Sequence, residues 1–145
     1  MWKHAFIYFL EGIKKKNIEF VEQPLPSSFL EESVYLKRYA PFRLFADESI
    51  TAEADFGLLK KMFDGVNIKL MKAGGYLNAI RLLREAKNQG MQTMIGCMVE
   101  TTLGISSACH LASQADYFDL DSFLLVKNEP YQLIDEHEGK LSLKK

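Results

Sequence analysis

The sequence predicts a parallel α/β fold, and three observations carry that prediction. Short apolar runs alternate with amphipathic segments along the chain. The five apolar runs recur every roughly 22–28 residues, the repeat of parallel strands joined by crossover helices. The ionisable residues close the strands instead of opening them, and in parallel α/β folds that end carries the chemistry. Two architectures meet these conditions: a doubly wound open sheet and part of a (β/α)8 barrel. A whole barrel takes about 250 residues, so this chain of 145 supplies only part of one.

The elements follow in order. Phe6, Phe9, Leu10 and Ile13 stand at i, i+3, i+4 and i+7, the spacing of a helix with one apolar face. "IEFVEQP" is a strand stopped by Pro24. "SSFLEESVYLKRYAP" reads as a helix with Ser27 or Ser28 as N-cap and Pro41 as its stop. "FRLFADES" is the second strand, "TAEADFGLLKKMF" a helix and "GVNIKL" the third strand. In "YLNAIRLLREAKNQG", Ala79, Leu82, Leu83 and Ala86 form an apolar stripe, and Gly90 follows as the closing glycine. "QTMIGCMVE" is a strand, "TLGISSACHLASQA" a helix and "YFDLDSF" the fifth strand. Residues 1–130 therefore read as the α/β unit. Residues 131–145 read as an irregular tail, in which "HEGKLSLK" has the pattern of a short turn and strand.

Composition narrows the function classes. A net charge of -1 gives no basic surplus for nucleic acid and no charged tail. The apolar run at the N-terminus is too short and interrupted to span a membrane, which points to a cytoplasmic protein. Cys97 and Cys109 lack CxxC spacing and read as reduced, structural thiols.

Side chains alternate between the two faces of a strand. Glu22 ends its strand on the face of Phe20, and Asp47 ends the next on the face of Phe45. Asn67 and Lys69 share a face opposite Val66, Ile68 and Leu70. Asp119 and Asp121 share a face with Tyr117, opposite Phe118 and Leu120. Any one of these carboxylates alone is an ordinary loop residue. Together they form a constellation of metal ligands and a base. Hard oxygen ligands suit Mg²⁺, and a lysine beside a divalent cation in a dry site has its pKa lowered towards that of a base. Lys72 lies past the strand and is expected to reach water. Gly74–Gly75 before a helix is a weak anion-binding signal, and Glu100 reads as an N-terminal helix charge. His4, His110 and His137 have no metal-site spacing.

The segments "IEFVEQPLP", "FADES", "VNIKLMKAGG", "GCMVETTLG" and "FDLD" together resemble the enolase superfamily, in its muconate-lactonizing subgroup. The resemblance runs from about residue 2 to residue 130 and is nearest to the dipeptide (L-Ala-D/L-Glu) epimerases. It implies a modified (β/α)8 barrel beneath a capping domain, and a Mg²⁺ ion held by carboxylates on three strands. It implies removal of a proton α to a carboxylate, with the enediolate stabilised on the metal. It gives Glu22 and Asp47 as metal ligands and Lys69 as the acid/base. It gives Asp119 and Asp121 as the Asp-x-Asp pair that grips the α-ammonium of a dipeptide.

The sequence departs from that pattern. The capping domain, the first three strands, the Lys-x-Lys that supplies the opposite base and the third metal-binding aspartate have no counterpart here. The expectation is a C-terminal barrel fragment that is inactive alone. A complementing chain or a homo-oligomer would then cover its open edges. Two alternatives stand beside it: a non-catalytic module, and a cycloisomerase or racemase of the same superfamily acting on another carboxylate.

Overall fold

The computed structural model describes residues 2–144, with side chains described from residue 7 onward. Helix α1 (Trp2–Ile13) leads into β1 (Phe20–Glu22), α2 (Leu30–Tyr39), β2 (Arg43–Ala46) and α3 (Phe56–Met62). Strand β3 (Gly65–Lys69) passes directly into a one-turn helix, α4 (Leu70–Ala73), and then α5 (Tyr76–Asn88). Strand β4 (Gln92–Gly96), α6 (Thr102–Cys109) and β5 (Tyr117–Asp119) complete the alternation. The five strands pair in parallel and in chain order, β1-β2-β3-β4-β5.

The sheet curls into half a barrel, which decides between the two architectures that the parallel repeat left open. Phe20 of β1 and Tyr117 of β5 come from opposite edges, yet their rings meet at 5.1 Å across the interior. Phe20 also stacks on Phe45 at 4.3 Å. Below these rings a polar tie crosses the same gap. The Tyr117 hydroxyl donates to Glu19 at 2.7 Å, and Arg43 donates to Glu19 at 3.0 Å and to Gln92 at 2.6 Å. Phe45 fills its space because Gly65 leaves room: a Cβ on Gly65 would stand 2.4 Å from the ring.

The outward faces make the main core. Leu44, Ala46, Val66, Ile68 and Ile95 alternate with the interior residues and are fully buried. Helix α5 packs on β3 and β4, with Ala79, Leu82, Leu83 and Ala86 buried along its predicted stripe. Gly90 follows that helix with a left-handed φ of 71°, and the Met91 N–H returns to Ala86 O.

Local details correct three expectations. Helix α2 starts at Leu30 with Phe29 as N-cap, not Ser27 or Ser28. The Phe29 N–H turns back to Pro26 O, and Ser33 Oγ donates to Phe29 O at 2.7 Å, so the serines before it have no capping task. Pro41 does end the helix, because Ala40 before it is extended, with ψ of 134°. Along α1, Leu10 is buried but Phe9 is 54% exposed, and the Phe6 side chain lies outside the described residues. The segment read as an irregular tail is only partly so: the turn and strand expected in "HEGKLSLK" form and pair with a further strand, giving an antiparallel hairpin, β6 (Ile134–His137) with β7 (Lys140–Leu143). Glu138 and Gly139 both take positive φ at its tip, as a two-residue hairpin turn requires. Glu129 anchors this segment by accepting from Thr102 N and Thr102 Oγ1, both at 3.0 Å. Among the described residues no helix is long and apolar enough to cross a membrane.

Candidate active site

The C-terminal ends of β1, β2 and β3 bring Glu22, Asp47, Asn67 and Lys69 onto one layer. Period-2 alternation aims Glu22 and Asn67 into the half-barrel, and Asn67 Nδ2 donates to Glu22 Oε1 at 2.7 Å. Lys69 Nζ donates to Asp47 Oδ2 at 2.7 Å, with the two side chains 12% and 15% exposed. Asn67 is wholly buried, and its Oδ1 has no hydrogen-bond partner. Gly96 on β4 leaves the space for that amide, since a Cβ there would stand 2.3 Å from Asn67 Oδ1.

Lys72 departs from its expectation. Its ammonium is drawn back onto Asp47, although the side chain stays 26% exposed. Its Nζ lies 2.7 Å from Asp47 Oδ1 and also donates to the Asp47 carbonyl oxygen. The cause is α4: the strand becomes a helix at Leu70, and a three-residue step on a helix returns to the same side. Gly74 ends that turn with φ of 76°. One aspartate therefore holds two ammonium groups, one on each oxygen.

Electrostatics follows this geometry. Burial pushes the Glu22 carboxyl above the usual carboxylate range. The Asn67 hydrogen bond works against burial, and the negative charge of Asp47 adds to it. Burial also opposes ionisation of Asp47, but hydrogen bonds from Lys69 and Lys72 outweigh it and hold Asp47 below its ordinary value. Lys69 is shifted up; the lowering expected beside a divalent cation belongs to the cation-bound site. Burial favours its neutral form, yet the hydrogen bond and charge of Asp47, joined by Glu22 and Glu48, win.

The fifth strand delivers its carboxylates differently. Asp119 is the last residue of β5 and lies opposite Gly96, which itself pairs with Lys69. Asp121 lies past the strand in right-handed backbone, at the start of a 3-10 turn, Ser122–Leu125. Both are exposed, and both line a cleft of about 830 Å³ with Phe118, Leu124 and Leu141. No ion pair ties either carboxylate to another described residue. Glu100 lies just past β4, and its Oε1 accepts from Met98 N at 3.1 Å. His110 caps α6, with Nδ1 2.7 Å from Ser106 O. Cys97 and Cys109 are unpaired.

Glu22 and Asp47 offer the hard oxygen donors that a divalent cation takes, and they face each other closely enough to perturb one another. They fit such an ion as two of its ligands. Among the described residues no group of three His, Cys, Asp or Glu side chains forms a metal site.

A curled half-barrel with a carboxylate–lysine cluster at its strand ends defines a protein of the α/β-barrel class. Residues 3–138 match the family model described as enolase C-terminal domain-like, and the chain belongs to that family. It is 43% identical over 128 residues to an L-Ala-D/L-amino acid epimerase of Pedosphaera parvula, which covers 88% of this chain and 37% of the relative. It is 37% identical to an L-Ala-D/L-Glu epimerase of Bacteroides thetaiotaomicron, over 92% of this chain and 35% of the relative. A dipeptide epimerase from Enterococcus faecalis, solved with Mg and the dipeptide L-Leu-L-Tyr, superposes with a TM-score of 0.84. That structure is 32% identical and covers 99% of this chain and 43% of its own. The chain thus spans just over a third of the length of those two curated relatives.

Proposed function

We propose that this chain carries one half of a Mg²⁺-dependent dipeptide epimerase site, with Lys69 as the acid/base on one face of the substrate. The observation that carries the reading is the Lys69–Asp47 pair, 2.7 Å apart beside Glu22 at adjoining strand ends. A cation on Glu22 and Asp47 would supply Lewis-acid polarisation of the substrate carboxylate and offset the negative charge that now holds the Lys69 proton. Lys69 Nζ would take or return the α-proton, and the stiff strand β3 holds it in place for that task. Lys72 and Asn67 would keep Asp47 and Glu22 oriented. Asp119 and Asp121, exposed and unpaired, would accept the α-ammonium of the dipeptide by charge-assisted hydrogen bonds.

Epimerisation needs a second base on the opposite face and, by the family resemblance, a third carboxylate. Neither has a counterpart in the described half-barrel. The chain alone is therefore proposed to bind but not to turn over. The test is incubation with Mg²⁺ and L-Ala-D-Glu in D₂O, followed by proton NMR of the glutamate α-position. Without the third carboxylate the cation would be held too weakly to acidify the α-carbon, so no exchange is expected. Deuterium uptake would overturn the claim of inactivity, because one base suffices for exchange. Substituting Asp119 and Asp121 together by alanine should abolish any binding of L-Ala-D-Glu. Unchanged binding would instead favour a substrate without an ammonium.

A second reading rests on the sheet edges. The outer edges of β1 and β5 have no strand partner among the described residues. Open edges of a parallel sheet are an invitation to pairing, so a complementing chain or a second copy would close the barrel. A defined hetero-oligomer or homo-oligomer on size-exclusion chromatography supports this reading, and a monodisperse monomer removes it.

A further inference from the structure

Gln23 follows Glu22 at the end of β1, and its backbone is left-handed, with φ of 34°. A non-glycine residue holds such a conformation only where its surroundings over-determine it, and such residues cluster at functional sites. Here the side-chain amide supplies the reason. Its Oε1 accepts from the backbone N–H of Asp47 at 2.9 Å and of Ser49 at 3.1 Å. Its Nε2 donates to Leu25 O at 2.7 Å and to Ser49 Oγ at 2.9 Å. Its own N–H donates to Phe45 O at 2.8 Å. Both amide donors and the acceptor oxygen are thus in use.

This places one residue between the two carboxylates. It is covalently joined to Glu22 and hydrogen-bonded to Asp47. Asp47 is in turn gripped at its N–H by Gln23, at its C=O by Lys72, and at its two carboxylate oxygens by Lys72 and Lys69. Of these ties only Gln23 connects Asp47 to the strand that carries Glu22.

We infer that Gln23 is a positioning residue that sets the separation and orientation of Glu22 and Asp47, and through them the cation affinity of the site. The inference rests on reading those two residues as cation ligands, and the experiment separates the two claims. Isotope-labelled chain is compared with Gln23→Met, which keeps the shape but loses the amide. Gln23→Glu keeps the acceptor oxygen. Gln23→Gly removes the amide while tolerating the left-handed backbone, and it replaces Gln23→Met should that variant not fold.

Three quantities are read by NMR: the Asp47 χ1 couplings, the amide exchange of Asp47 and Ser49, and line broadening at Glu22 and Asp47 during Mn²⁺ titration. In Gln23→Met the Asp47 side chain should pass from one rotamer to an average, and Asp47 and Ser49 protection should fall about tenfold. Ile95 in β4 should keep its protection. The Mn²⁺ midpoint should rise about tenfold. Gln23→Glu should restore the single rotamer. A single Asp47 rotamer with an unchanged midpoint in Gln23→Met overturns the inference and leaves Gln23 a loop brace. Absence of Mn²⁺ broadening in the unsubstituted chain overturns the cation reading, while the χ1 couplings still decide whether Gln23 positions Asp47.

Discussion

Gly96→Ala is the sharpest test of how tightly the site is built. A Cβ at this position would lie 2.3 Å from Asn67 Oδ1, 2.6 Å from Nδ2 and 2.8 Å from Cγ. Contacts that short force movement, and Asn67 is fully buried with nowhere to retreat. Overpacking a core by one methyl group costs about 1–3 kcal/mol. Displacing the amide also breaks the Asn67–Glu22 hydrogen bond of 2.7 Å, and bonds to charged groups contribute about 1.5–3 kcal/mol. The expected loss is about 3–5 kcal/mol, a large share of a typical domain's stability of about 5–15 kcal/mol. Guanidinium unfolding followed by circular dichroism measures it. In an Asn67→Ala background the same substitution should cost much less, because the clashing amide is gone, and the double-mutant cycle isolates that coupling. Gly12→Ala serves as the control: nothing lies within 4 Å of its Cβ, and it sits inside α1. It should stabilise by about 0.5–1 kcal/mol. A loss below about 1 kcal/mol for Gly96→Ala, or full additivity with Asn67→Ala, would refute the close packing of β4 against the site.

Further expectations concern charge and capping. Glu22 is shifted up in the folded chain, so its protonated form stabilises the fold below the unfolded pKa, and that contribution is lost as pH rises through the folded value. Glu22→Gln should therefore raise stability at pH 7 and do little at pH 4, and a loss at pH 7 would contradict the burial assignment. Asp47 is shifted down, so its contribution is present above the unfolded value and lost as pH falls through the folded one. Lys72→Met removes one cause of that shift and should flatten the acid limb of the stability–pH curve, whereas an unchanged limb would mean that Lys72 is a spectator. Asp55 caps α3 by accepting from Leu58 N at 3.0 Å. Asp55→Ala should cost about 1 kcal/mol of unfolding free energy, and a neutral result would place the helix start under tertiary control.

The architecture was legible in the sequence because each crossover repeats a pattern that short-range physics dictates. The stripe at Ala79, Leu82, Leu83 and Ala86 allows one face of α5 to be buried and no other. The inward aim of Glu22 and Asn67 follows from two-residue alternation once Phe20 and Val66 are assigned. Lys72 escapes the strand rule for an equally physical reason. Alternation holds only while the chain stays extended, and β3 turns helical at Leu70, where the rule changes from two to 3.6 residues per repeat. The signal was present: K-L-M-K puts the two lysines at i and i+3, and Gly74–Gly75 marks the end of a turn. At Lys69 two influences compete: a bound cation lowers a lysine pKa, whereas the carboxylate of Asp47 raises it. Gln23 was invisible because its role rests on a left-handed backbone that neither composition nor periodicity reports.

The charges at the strand ends also bear on what the half-site lacks. Glu22 and Asp47 carry two negative charges, and Lys69 and Lys72 carry two positive ones, so the cluster is neutral as it stands. Charges held away from water are stable only when matched. A divalent cation would leave the cluster two charges positive. A substrate carboxylate returns one of them. The other calls for one further anion near the same layer, from Asp119 opposite Gly96 or from beyond the open edge of β1. The charge count does not choose between these two edges; the family resemblance, which puts a third carboxylate ligand on the strand before that of Glu22, favours the open side of β1. A carboxylate delivered there by a partner chain or a longer form of this one should raise Mg²⁺ affinity by far more than the same residue delivered beside β5.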